Sequence, residues 1–181
     1  MAKKLIRVGL LLLLGAGGAF AGEAPKWTTP AVEGYGGIVF DPALAVQPDR
    51  ALDYKVIFKI TSGDTKEGVN AQLWHVARFV NLLAAGNVPK AKVHVVAGIA
   101  GKATDAVLTD DAYELRYKKL NPNTELIREL TEAGVIIYVC SQAAAEHDID
   151  LETEVNPDIV HSLSLMTDLA NFQLKGYVLM P

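Results

Sequence analysis

A chain of 181 residues with a formal charge of −4 and 50% hydrophobic residues has the length for one well-buried domain rather than two. Its acidity argues against nucleic acid as a partner, since binding it needs a basic face. The single cysteine, Cys140, excludes an internal disulfide, so the fold must stand on its core alone.

The chain opens on Lys3, Lys4 and Arg7, followed by an apolar run over residues 8–20 that closes in Ala19-Phe20-Ala21. A basic start, a short apolar middle and a small-x-small end are the pattern of a secretory signal peptide. The run is shorter than the roughly 20 residues that a bilayer span needs. Residues 1–21 are therefore expected to be a cleaved signal, leaving Gly22 first and an exported, periplasmic protein with no membrane attachment. Residues 22–53 have the composition of an extended arm. Pro25, Pro30, Pro42 and Pro48 punctuate it, and Gly34-Tyr35-Gly36-Gly37 opposes a stable helix. Trp27, Tyr35 and Phe40 are too apolar for a solvated tail, which predicts an arm packed over the domain or over a neighbouring subunit.

A single α/β domain is expected over residues 54–181. Residues 54–60 read as its first strand, with Thr61-Ser62-Gly63-Asp64 as the loop that leaves it. Asn70 is suited to cap a helix over 71–85, where Leu73, Val76, Ala77, Val80, Leu83 and Ala84 make one apolar face that Gly86-Asn87 stops. Residues 92–97 read as the second strand, so that strand, helix and strand form a right-handed βαβ unit. The loop Gly98-Ile99-Ala100-Gly101-Lys102 has the residues of a phosphate cradle without the spacing of a nucleotide fingerprint, and no cofactor is implied. His75 and His94 are read as packing or surface residues.

Residues 109–119 are expected to be helical, with Asp110 and Asp111 at the favourable amino end. Pro122, with Asn121 as cap, is expected to open a further helix through residue 132, its buried stripe formed by Leu126, Ile127, Leu130 and Ala133. After Gly134 comes the unbroken apolar run Val135-Ile136-Ile137-Tyr138-Val139-Cys140, which suits a strand buried on both faces of a parallel sheet. Residues 141–146 then turn polar and alanine-rich, as a helix start does. Glu146-His147-Asp148-Ile149-Asp150 holds a single histidine among carboxylates and reads as a solvated turn, so no metal is expected. A short strand at 158–161, a last helix at 163–175 and a final strand at 177–180 complete the chain.

Cys140 would thus sit at the carboxyl end of a central strand, facing the first turn of a helix. Ligands bind at that edge in open α/β sheets. The free N–H groups and the dipole of a helix start favour an anion such as a thiolate. The position suits a nucleophilic or sulfur-carrying cysteine, and it equally suits a small buried hydrophobe.

Several stretches together resemble the DsrE/DsrF-like family, in its exported branch. They are Gly34-Tyr35-Gly36 in the arm, Val56-Ile57-Phe58-Lys59-Ile60-Thr61, the helix end with Asn81-Leu82-Leu83, and His94-Val95-Val96-Ala97-Gly98. Gly134 to Gln142, with Val139-Cys140-Ser141-Gln142, and the close Leu174-Lys175-Gly176-Tyr177 continue the likeness. The resemblance implies a three-layer α/β/α sandwich with a mainly parallel sheet of about five strands. It implies assembly as a homotrimer or homohexamer, and sulfur transfer in which Cys140 is the nucleophile and persulfide site, with Ser141 and Gln142 in support. A sulfur-donor or sulfur-acceptor protein would be the partner. The alternative reading is a noncatalytic oligomeric binding or assembly module in which Cys140 is structural. Glu146-His147-Asp148 stands where sulfur-relay relatives tend to carry Arg-Gly, so this chain lacks their nearby cation.

Overall fold

The computed structural model describes residues 25–181; the expected signal peptide lies outside them. In chain order come β1 (Tyr54–Ile60), the hairpin strands β2 (Thr65–Lys66) and β3 (Val69–Asn70), α1 (Ala71–Ala85) and β4 (Val93–Ile99). They are followed by α2 (Asp110–Tyr117), α3 (Thr124–Glu132), β5 (Ile136–Cys140), α4 (Ser141–Glu146), β6 (Val160–Ser162), α5 (Leu165–Leu174) and β7 (Val178–Met180).

Five strands form one sheet in the order β6-β5-β4-β1-β7, and every pairing in it is parallel. This order decides where the helices go. The connections β1 to β4, β4 to β5 and β5 to β6 all step in the same direction, and right-handed crossovers put them on one face. The return from β6 to β7 runs the other way across the sheet, so α5 falls on the opposite face. There it touches β1, β4, β5 and β7.

Side-chain alternation divides the core accordingly. Val56, Phe58, Ile60, Val95, Ala97, Ile99, Ile137 and Val139 meet Leu73, Val76, Val80, Leu126, Ile127 and Leu130 in the main core. The other face of the same strands lies under α5 alone. Gly98 leaves room there for Leu165: a Cβ on it would lie 2.3 Å from Leu165 Cδ1, so that side chain would have to shift. Tyr138 packs its ring 5.9 Å from that of Phe172. Ile136, at the start of β5, remains 47% exposed. The expectation that β5 is buried on both faces therefore fails at its amino end, since one helix cannot cover five strands. β5 is also one place off centre, the middle strand being β4.

Local chemistry explains the element boundaries. The Asn70 carboxamide accepts from the Gln72 and Leu73 amides at 3.0 and 3.1 Å and starts α1. α3 begins at Thr124, two residues later than Pro122 suggests. Asn121 is buried and occupied elsewhere: its Nδ2 donates to the Ala106 and Leu108 carbonyls while its Oδ1 accepts from the Asn123 amide. β6 starts at Val160 because Asn156 organises a turn ahead of it, accepting from the Asp158 and Ile159 amides. Ser164 caps α5 through the Met166 amide, so that helix starts at Leu165. Gly98 and Ile99 extend β4, in register with Lys59 and Ile60, rather than opening a loop.

The arm has no helix or strand of its own beyond a bridge between Thr28 and Ile38. It packs over its own domain, on α1. Asn81, fully buried, accepts from the Ala31 and Val32 amides, each at 2.9 Å, and donates to the Tyr35 and Gly36 carbonyls. Gly36 makes this approach feasible: its φ is 62°, and a Cβ there would sit 2.2 Å from the Arg78 amide nitrogen.

Candidate functional site

The sheet order creates one topological switch. β5 passes into α4 on the main-core face, whereas its neighbour β6 passes into α5 on the other, so a crevice opens between their carboxyl ends. Cys140 is the last residue of β5 and pairs with Ser162, the last of β6. Both side chains alternate to the α5 side of the sheet.

Cys140 is a free thiol, 6% exposed, packed with Ala143 and Leu165. It lines a pocket of about 290 Å³ together with Lys59, Thr61, Gln142, Glu146, Ser164 and Met166, among others. The carboxyl ends of β1 and β4 thus supply one wall, α4 a second, and the start of α5 a third.

Of the supporting residues expected from the sequence, Gln142 reaches this pocket and Ser141 does not. The Ser141 hydroxyl donates to the Leu163 carbonyl at 2.8 Å, and Gln142 Nε2 donates to the same carbonyl at 3.3 Å. Together they brace the β6–α5 connection against the start of α4. Ser162 donates to Asp168 in the first turn of α5, a second brace on that connection. The wall opposite Cys140 is therefore fixed in place by the hydrogen bonds of Ser141, Gln142 and Ser162.

Lys59 is the residue that sequence reasoning missed. It lines the pocket and forms no salt bridge among the described residues. The signal was the alternation of β1 itself: Lys55 and Lys59 both fall out of phase with Val56, Phe58 and Ile60, which enter the main core, and Lys59 is the one at the carboxyl end. Glu146 brings an opposing carboxylate to the rim. The rest of the acidic segment turns away: Arg116 donates to the His147 and Asp148 carbonyls at 2.9 and 2.7 Å, and His147 Nδ1 lies 2.9 Å from Asp105 Oδ1. A lysine that lines the same pocket as the thiol, with no salt-bridge partner among the described residues, can hold an anionic sulfur species there.

The model of the DsrE/DsrF-like family matches residues 55–181. The chain belongs to the DsrE/DsrF-like family. Members of this family are often associated with sulfur relay. No curated protein matches the chain. Among solved structures, that of a protein of unknown function from Methanobacterium thermoautotrophicum, MTH1491, is similar with a TM-score of 0.55. The two are 19% identical, and the match covers 71% of this chain and 98% of that one. This likeness supports the DsrE-like α/β fold alone. The arm, with its tryptophan and its buried asparagine contacts, lies ahead of the family match.

Proposed function

We propose that this member of the DsrE/DsrF-like family is a periplasmic sulfur carrier, with Cys140 as nucleophile and persulfide site. The observation that carries this reading is the placement of the chain's single cysteine at the switch-point crevice, in a pocket that also receives Lys59. In the loading step the Cys140 thiolate attacks a terminal sulfur of an inorganic polysulfide. One S–S bond forms as another breaks, leaving a Cys140 persulfide anion and a polysulfide shorter by one sulfur. In the delivery step an acceptor protein's thiolate attacks the outer sulfur and Cys140 leaves as thiolate, so no net oxidant is needed. Lys59 offsets the negative charge in both states. Gln142 and Ser141 hold the wall in place.

Intact-protein mass spectrometry after incubation with polysulfide tests this. The native protein is expected to gain one sulfur atom, removable by a thiol reductant, and Cys140→Ser to gain none. An unmodified native protein that becomes modified only in denaturant would overturn the proposal. That outcome belongs to a second reading, favoured by the 6% exposure of Cys140: a noncatalytic oligomeric module in which the cysteine packs against Ala143 and Leu165.

The basic start and apolar run of residues 1–21 support the periplasmic assignment, and amino-terminal sequencing of the exported protein is expected to begin at Gly22. Recovery of the full chain from the cytoplasm would contradict it.

A further inference from the structure

A second cleft, of about 450 Å³, opens between the arm and α1 and shares no lining residue with the Cys140 pocket. Its volume falls within the roughly 300–1,000 Å³ of small-molecule sites. Trp27 and Trp74 wall it, and Lys66, Glu67 and Arg78 line it. Lys66 Nζ lies 3.7 Å from the Trp74 ring centroid, and the Arg78 guanidinium carbon lies 4.2 Å from Trp74 and 5.6 Å from Trp27.

Charge and hydrogen bonding in this cleft are unbalanced. Arg78 donates through Nε to the Gly37 carbonyl at 3.0 Å, and its two terminal nitrogens donate to no acceptor among the described residues. Neither Arg78 nor Lys66 forms a salt bridge there. Glu67 is committed to the Trp74 indole N–H at 2.9 Å. Two cations against one engaged carboxylate leave room for one further negative charge, and a guanidinium with both terminal nitrogens free matches a carboxylate in two-point geometry. Trp27 is 60% exposed, so it offers an uncovered indole face for stacking beside that charge. The arm is not a loose flap, because Asn81 and Gly36 fix it to α1.

We infer that this cleft binds a small aromatic carboxylate, its anion held between Arg78 and Lys66 and its ring stacked on Trp27. The chain's two tryptophans both line the cleft, so intrinsic tryptophan fluorescence reports on this site alone. Full mature protein would be titrated with benzoate, with benzyl alcohol as the ring without the charge, and with sulfate as the charge without the ring. The expected result is a saturable fluorescence change with benzoate, at least tenfold weaker binding of either control, and at least fivefold weaker benzoate binding in both Lys66→Gln and Arg78→Gln. Lys66→Gln lies on the exposed hairpin and keeps the test valid if loss of Arg78 loosens the arm; circular dichroism checks both variants. Absence of saturation, equal binding of either control, or benzoate binding within twofold of the wild type in both variants would overturn the inference.

Discussion

Cys140 and Lys59 are placed by different rules, and only the first rule is written locally. An apolar run that ends in a cysteine before a polar, alanine-rich segment marks a strand end at a helix start, so Cys140 could be read from its neighbours. Lys59 reaches the same pocket because β1 lies beside β4 in parallel register and because α5 crosses on that face, neither of which a window around residue 59 contains. The pairing is testable with two reagents of different charge. In native protein the exposed Lys59 ammonium is expected to speed alkylation of Cys140 by anionic iodoacetate relative to neutral iodoacetamide. Lys59→Gln should reduce that ratio about three- to fivefold, the scale of an exposed charge worth ~1 kcal/mol or less. An unchanged ratio would place the ammonium away from the thiol in solution. Gly98 is equally constrained. Gly98→Ala would drive a methyl group into Leu165 and force the residue that packs on Cys140 to move. A loss of about 1–3 kcal/mol in urea unfolding is expected, the usual cost of overpacking, together with faster alkylation of a less protected thiol.

At the scale of elements, agreement with the sequence follows from how local the determinants are. The helix over Ala71–Ala85 was legible because cap, periodicity and stop lie within or beside the segment itself, and the short one over Ser141–Glu146 because its polar, alanine-rich composition sets it off from the apolar strand before it. The β2–β3 hairpin was not, since Glu67 takes a positive φ of 53° without being glycine, asparagine or aspartate. The start of α3 was misplaced because Asn121 spends its side chain on carbonyls 13 and 15 residues earlier in the chain. The arm is the clearest case of a distant determinant: Asn81 looks like an unremarkable polar position on α1, yet it satisfies four backbone groups of the arm. Asn81→Ala would strand buried amides and carbonyls, and a loss of about 2–4 kcal/mol is expected, with increased proteolysis of the arm. α2 is tied down differently. The Tyr117 phenol donates to Asp105, and that bond, with burial next, pushes its pKa up to about 12 from 10.0. A phenol held protonated by folding binds its proton more tightly in the folded chain than in the unfolded one. The stability it adds is complete below pH 10.0 and is lost as pH rises towards 12. Tyr117→Phe should therefore be less stable than the parent at neutral pH and converge with it across that window, as followed by urea midpoints. A gap that persists unchanged through the window would mean the bond does not form in solution.

For the whole molecule, the sheet order that makes the Cys140 crevice also leaves one face poorly covered. Four helices, α1 to α4, and the arm close the main-core face, but α5 works alone on the other. Met166 and Leu174 on α5 are 80% and 88% exposed, and Leu163, Ile136 and Leu179 on the same side are exposed as well. Apolar side chains gathered on one side of a domain in this way mark an interaction surface rather than scattered surface residues. The aromatic residues of the arm were one sequence argument for self-association, but the arm packs Tyr35 against its own core, and Trp27 lines the cleft over α1. The case for assembly therefore moves to α5 and the sheet edge beside it. We propose a closed homotrimer or homohexamer built on this face, since symmetric closure is how such a surface is usually buried. Met166 lines the Cys140 pocket, so assembly would also set who can reach the thiol. Light scattering across micromolar concentrations is expected to give the mass of three or six protomers of the mature chain. The double substitution Met166→Glu with Leu174→Glu should give monomers with an unchanged circular dichroism spectrum and faster alkylation of Cys140. A wild-type protein that is monomeric throughout that range would refute assembly, and an assembled double variant would move the interface off α5.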